Sequence, residues 1–272
     1  MIHRLIATAT VACTVLAAAP AAVAAQEHDC VINPAVTVRL GSPVAGLIDT
    51  VHVEPGSVVS VGDRIATLRS EVERTTVEVI EEQARSKAEI EAQRARLDLS
   101  RSRLNRTERL VKRNIAAAEE LETARAEMEV ISRELALTEM RQRVAMLELR
   151  RAREQLEQRT IRSPVDGVVV DRALFSGEFL HQEAHVVTIA QIDPLIVEAF
   201  LPVELFYDIR PGMTATVYPN APVNGSHEGR VKVADRVFDA ASSTFGVKIH
   251  LDNPDHALPA GHRCRVTFEG IG

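Results

Sequence analysis

The chain has 272 residues, enough for one large domain or two to three small ones. Its 46% hydrophobic content is that of a folded protein, but only 3% is aromatic and Trp is absent, which excludes a large aromatic core and favours long helices or small barrels. A formal net charge of -6, with the central Arg residues interleaved with Glu, excludes a general attraction to nucleic acid.

Residues 1–25 have the makeup of a secretory signal peptide. Arg4 precedes an Ala/Val/Leu run from Leu5 to about Ala19, and small residues at Ala22 and Ala24 set a cleavage site near Ala24 or Ala25. The alternative is an uncleaved anchor helix, which the mildly apolar, Ala-rich run favours less. Export leaves Cys30 and Cys264 in an oxidising compartment, in the strand-like stretches "CVI" and "RCRVTF". A disulfide tying the first strand to the last is the favoured reading, and two buried free thiols the alternative. Neither cysteine has a CxxC partner, so no metal or redox role is expected.

Residues 42–68, "SPVAGLIDTVHVEPGSVVSVGDRIATL", are echoed at 163–189 by "SPVDGVVVDRALFSGEFLHQEAHVVTI". One constant offset aligns Pro43 with Pro164, Gly46 with Gly167 and Gly56 with Gly177. Each copy has turn residues, a short strand, a second Gly turn and another apolar strand. The glycines are expected to supply positive φ in tight turns. One copy is too small to bury a core, so the two are expected to face each other in a small flattened barrel or sandwich.

From Glu71 to Arg159 there is neither Pro nor Gly, and Glu, Arg, Ala and Leu dominate. Apolar residues recur every seven positions at Ile90, Leu97, Leu104 and Val111, and again at Leu121, Met128, Leu135, Leu149 and Leu156, with Gln142 in the one polar slot. A second row at Ala124, Ile131, Ala145 and Ala152 completes a seam in the second arm, whereas Arg94 and Arg101 are read as occupying that row in the first. The series break around "KRNIAAAEE", where Asn114 suits a left-handed helix end and Glu119 and Glu120 suit a helix start. The expected structure is an antiparallel hairpin with arms of about 40 residues, roughly 60 Å long at 1.5 Å per residue. Two helices of an ordinary bundle are the alternative, but no further helices are available to cover them.

From about Asp193 onward, "LIVEAFLP", "TATVYP", "GRVKVADRVF", "FGVKIHL" and "CRVTF" read as short strands that, with "CVI", would close a small barrel. "PVELFYDI" is expected to supply a short helix across it. His181 and His185 in "HQEAH" read as a surface pair rather than a metal site, and His262 and Cys264 as same-face packing. No Ser/His/Asp set, phosphate loop or catalytic carboxylate pair is present.

Taken together, "SPVAGLIDTVHVEPGSVVSVGDRIATL", "RTIRSPVDGVVVDRALFSGEFL", "DPLIVEAFLPVELFYDIRPGMTATV" and "VKIHLDNPDHALPAGHRCRVTF" resemble the HlyD-type membrane fusion family across almost the whole mature chain. His262 stands where that family usually has Met or an apolar residue. The resemblance implies an elongated α+β fold: a lipoyl-like β domain split by a long antiparallel α-helical hairpin, plus a C-terminal small β-barrel. The implied division is signal 1–25, an N-terminal strand joining barrel and lipoyl-like domain 26–40, first lipoyl-like half 41–70, hairpin 71–159, second half 160–192 and barrel 193–272. The modifiable lysine of a lipoyl carrier is missing from both halves, since the lysines are Lys87, Lys112, Lys232 and Lys248. No carrier chemistry, enzymatic activity or cofactor is therefore expected.

The family's channel-docking pattern is Arg, then Leu four positions on, then Ser seven further. It falls here on Arg106, Leu110 and Ala117, with Ala in place of Ser, and Glu120, Leu121, Glu122 and Ala124 support that register. The alternative is that Leu110 and Ala117 pack the hairpin turn while Arg106 is merely solvated. The implied partners are an inner-membrane exporter, a TolC-like outer-membrane channel and further copies of the chain in a homo-oligomer, a hexamer. A proton-driven resistance-nodulation-division pump is favoured, and an ATP-driven exporter stays open. Little sequence follows the barrel, so exporter contacts are expected on the barrel itself. The implied location is the periplasm, with attachment to the inner membrane through the transporter or a retained anchor. The competing reading is an exported coiled-coil envelope protein with no transport role.

Overall fold

A computed structural model describes residues 26–271. Residues 1–25, the expected signal peptide, lie outside the described residues. The described residues form two compact units, one being Pro34–Asp193 and the other residues 26–33 together with 194–271. Both divisions fall within strands, β1 (His28–Leu40) and β8 (Val187–Pro202).

Pro34–Asp193 carries the repeat and the hairpin. The first copy supplies β2 (Gly46–Val51), β3 (Val58–Val59) and β4 (Arg64–Leu68), and the second supplies β5 (Thr160–Arg162), β6 (Gly167–Arg172), β7 (Phe179–Leu180) and the start of β8. The copies exchange strands: β2 pairs with β7 and β3 with β6. The registers are related by the sequence offset. Gly46 opposes Leu180 as Gly167 opposes Val59, and Ile48 opposes Leu68 as Val169 opposes Ile189. A register shift follows Ile48 in β2 and Val169 in β6 alike. Gly56 N–H donates to the Val169 carbonyl at 2.8 Å and Gly177 N–H to the Ile48 carbonyl at 2.9 Å. An approximate twofold therefore relates the halves. Each half lacks the partner strands and apolar face that the other provides, which is why neither forms a core alone. The shared core contains Ile48, Ile65, Leu68, Ile161, Leu180 and Ile189, all buried.

The four glycines divide into two roles, and only one is the expected turn role. Gly56 and Gly177 have φ of 90° and 88°. Gly46 and Gly167 instead begin β2 and β6 and are needed for close approach. A Cβ on Gly167 would lie 2.3 Å from the Ala190 carbonyl oxygen, and one on Gly46 would lie 2.8 Å from Arg159 Nη1.

The hairpin departs from two continuous arms. The first arm is α1 (Glu71–Arg85) followed by α2 (Ala88–Lys112), and the second is α3 (Ala118–Glu157), unbroken over 40 residues. The break sits at Ser86, whose ψ of 119° is extended. Its cause is a slip in seam phase. Val77 and Ala84 are buried in α1, which calls for position 91 next, but the α2 seam takes up Ile90 and Leu97 instead. Breaking the first arm lets both segments face the regular α3 seam.

The second α2 row is also not where Arg94 and Arg101 stand. Those two are exposed, and the row is Gln93, Ser100 and Thr107, small or uncharged groups turned inward. Arg94 reaches across to Glu139 at 3.0 Å. Further cross-arm pairs join Glu73 to Arg159, Glu81 to Arg153, Glu89 to Arg141 and Arg103 to Glu127. The pairs toward the tip are largely exposed and add little stability each, whereas Glu73–Arg159 is partly buried; together they fix which residues of the two arms are level.

The other unit combines β1 with β8 to β12. β9 (Thr214–Pro219), β10 (His227–Ala234), β11 (Thr244–Leu251) and β12 (His262–Phe268) follow one 3₁₀ turn at Val203–Leu205. The order β1-β12-β9-β10-β11-β8, with β1 also pairing β8, closes the ring. Alternation places Leu195, Val197, Ala199 and Leu201 of β8 inside. Cys30 and Cys264 are register partners on β1 and β12 and are joined by a disulfide, with Cα atoms 4.9 Å apart.

Candidate functional site

The turn between α2 and α3 gathers Arg106, Leu110, Ala117 and Glu120 at one end of the hairpin. The α2 end is closed by main-chain bonds of the Schellman type: Asn114 N–H donates to the Val111 carbonyl and Ile115 N–H to the Leu110 carbonyl, both at 2.9 Å. Asn114 adopts φ of 56°, which its short polar side chain tolerates in the left-handed region. Leu110 is half-buried, and its carbonyl anchors the turn.

Ala117 is the N-cap of α3, with φ -76° and ψ 151°, and no side chain caps the helix there. It is exposed rather than packed into the turn. Its carbonyl accepts from Glu120 N–H at 3.2 Å. Glu119 and Glu120 lie in the first turn, at the positive pole of the helix. Arg106 is exposed, and among the described residues no ion pair is formed by it. Arg106, Arg109, Lys112 and Arg113 make the α2 side of the tip basic, while Glu119, Glu120 and Glu122 make the α3 side acidic.

One residue was overlooked by the sequence reasoning. Ile115 is 68% exposed between Leu110 and Ala117. A large β-branched apolar residue at the turn of "KRNIAAAEE", beside only small alanines and charged groups, was the available signal. An exposed Ile beside a half-buried Leu, flanked by opposite charges, suits docking on a partner with apolar gaps and both signs of charge.

The remaining candidates are placed elsewhere. Pro43 and Pro164 each stand three residues before the strands that open at Gly46 and Gly167. His181 lies against Phe179, with ring centroids 4.9 Å apart. His262 opposes Ile32 on β1, and Cys264 is in the disulfide. No group of three or more His, Cys, Asp or Glu suited to a metal occurs among the described residues. Nor is any helix among them long and apolar enough to cross a membrane.

A twofold-related β unit that emits a long hairpin with an exposed, bipolar tip is the architecture of the membrane fusion class. The family described as CzcB-like, barrel-sandwich hybrid domain matches residues 36–191, and the chain belongs to this family, among HlyD-type membrane fusion proteins. A UPF0194 membrane protein of Acidithiobacillus ferridurans is 29% identical over 121 residues, covering 40% of this chain and 36% of that protein. The cobalt-zinc-cadmium resistance protein CzcB of Cupriavidus metallidurans is 21% identical over 229 residues, covering 84% of this chain and 42% of that protein. The chain thus spans less than half the length of either curated relative. The crystal structure of MacA from Actinobacillus actinomycetemcomitans matches with a TM-score of 0.75 at 19% identity, covering 90% of this chain and 79% of that one. The membrane fusion protein Spr0693 of Streptococcus pneumoniae matches at 0.59 and 14% identity, covering 91% of this chain and all of that one. At those identities the likeness is one of fold.

Proposed function

We propose that the chain is the periplasmic adaptor of a tripartite efflux pump, joining an inner-membrane exporter to a TolC-like outer-membrane channel. In this reading the twofold-related halves are a split lipoyl-like domain, the ring of six strands is the adaptor barrel, and residues 1–25 direct export. Six copies stand side by side, the hairpin tips meet the channel, and the barrel follows the exporter, a resistance-nodulation-division pump. The mechanism is geometric. The rod sets a distance, the tip sets the contact, and no bond of the cargo is made or broken.

The exposed tip carries this reading. Arg106, Leu110, Ile115 and Glu120 sit together at the far end of a hairpin whose interior is already satisfied by its own seam. Arg106 is free to form charge-assisted bonds to carboxylates or carbonyls of a helical channel tip.

Capture of envelope partners by the mature chain, compared with a Leu110→Asp variant, tests the proposal. The mature chain should recover both a channel and an exporter, and the variant should lose the channel but keep the exporter. Recovery of neither by the unaltered chain would leave a structural envelope role instead.

A further inference from the structure

Aromatic residues are scarce in this chain, yet six of its seven Phe and two Tyr belong to one end of the six-stranded ring. The strand registers define that end. Pro202 closes β8 opposite Thr244, which opens β11. Ala234 closes β10, Thr214 opens β9, and Phe268 closes β12 opposite Ala215. His28 opens β1 opposite Val266. The loops that follow β8 and β10 therefore leave the ring at the same end, and the described residues begin and finish there.

Phe206 joins the two loops. Its ring centroid lies 5.4 Å from Tyr207, 5.0 Å from Phe238 and 5.4 Å from the buried Phe245, each pair edge to face. Such contacts hold the aromatic group in one arrangement. Its outward members are not covered. Val237 is 84% and Tyr207 82% exposed, the two most exposed large apolar side chains among the described residues, and Phe238 and Phe200 are exposed beside them. An apolar group that the fold orders but leaves bare marks a contact surface.

We infer that this end of the barrel is a lipid-contact surface, seating Tyr207, Val237 and Phe238 at the headgroup level of a bilayer. Loop tips that present an aromatic ring with a polar hydroxyl suit a surface that is apolar beneath and wet above. The chain outside the described residues points the same way. Residue 26 enters at this end, and nine residues separate His28 from Ala19, the last of the apolar run that begins at Leu5. An extended chain covers about 3.5 Å per residue, so with that run in the bilayer the barrel end is held within about 30 Å of it. The charges exclude attraction to anionic lipid as the cause: the two loops carry Glu204, Asp208, Asp235 and Asp239 against Arg210 and Arg236. The hold is apolar, and salt does not weaken it. In the proposed adaptor the barrel follows an exporter; this surface adds a direct hold on the surrounding bilayer and does not depend on that exporter.

The absence of Trp makes the test site-specific. In the chain from residue 26 onward, Val237→Trp places one fluorophore on the surface, and Val130→Trp places one on the exposed side of α3 as a control. With vesicles of phosphatidylethanolamine and phosphatidylcholine, emission from position 237 should shift to the blue and be quenched by brominated acyl chains, while position 130 should do neither. The unaltered chain should float with the vesicles, equally well at low and high salt, and a Tyr207→Ser/Val237→Ser variant should float several-fold less. Both replaced side chains are more than four-fifths exposed, so the fold is kept. No flotation of the unaltered chain would overturn the inference, as would flotation that high salt abolishes or equal shifts at positions 237 and 130. Loss of exporter capture by the double variant, without any lipid binding by the unaltered chain, would make the surface a protein contact instead. A chain that binds lipid through position 237 but captures no channel keeps this surface and loses the adaptor function.

Discussion

The Gln142 side-chain amide on α3 donates to the main-chain carbonyl of Ala84 on α1. Ala84 lies in the last turn before the break at Ser86, where helical carbonyls lose their i+4 donors. The one polar residue in the apolar series of the second arm is therefore the cap for the interruption in the first. Gln142→Leu would make the seam uniformly apolar and leave that carbonyl unserved. Loss of the bond should cost about 1 kcal/mol, read as a lower urea midpoint of the helical circular-dichroism signal. An increase in stability would show that Gln142 is only a tolerated flaw in the seam.

The repeat was legible because turn residues and apolar alternation leave marks at fixed positions, and the offset between the copies survives in every strand pairing between them. The break in the first arm was not, because residues 71–112 hold no Pro or Gly to mark it and propensity is blind to a one-residue slip in phase. Its trace was there: Val77 and Ala84 are out of step with Ile90 and Leu97. The second α2 row escaped for a different reason. Gln93, Ser100 and Thr107 are polar, so a search for apolar recurrence passed over them and settled on the adjacent Arg94 and Arg101. At the tip, the turn was readable from Asn114, but Ile115 was not distinguished from the residues around it.

The two glycine roles predict unequal costs at equivalent positions. Gly167→Ala sets a methyl against main-chain carbonyl oxygen at 2.3 Å, which β6 and β8 can relieve only by separating. It should cost about 3 kcal/mol, the upper end for overpacking. Gly46→Ala meets the end of the flexible Arg159 side chain and should cost less. Gly177→Ala has open space and loses only the ease of φ 88°, about 1–2 kcal/mol. Thermal unfolding of the three variants should rank Gly167→Ala as the least stable. Equal midpoints for Gly46→Ala and Gly167→Ala would refute the close-approach argument.

Ala117 occupies an N-cap that has no side-chain acceptor, three residues before Glu120. Ala117→Ser supplies the missing oxygen and, with Glu120, completes a capping box. The substitution should stabilise the start of α3 by about 0.5–1 kcal/mol. Slower amide hydrogen exchange at Glu119 and Glu120, with no change in the β strands, is the expected readout. Unchanged exchange at those two amides would show that the tip already finds its cap in solvent.

His28 on β1 is 8% exposed, beside Phe268 at a ring separation of 6.2 Å, and its Nε2 has no hydrogen-bond partner. Burial lowers its pKa from the usual 6.5, because the charged imidazolium would lose its water. The unfolded chain then binds the proton more tightly than the folded one, so protonation favours unfolding. The contribution of His28 to stability is whole above pH 6.5 and is lost as pH falls through that value toward the lower folded pKa. Other groups titrate over the same range, so the informative quantity is a difference between proteins. His28→Leu should remove this part of the acid sensitivity while leaving the rest. The unfolding midpoint of the variant, measured relative to the unaltered chain, should therefore be higher at pH 5 than at pH 8. A difference that stays constant between those two pH values would mean that His28 is solvated in the folded chain.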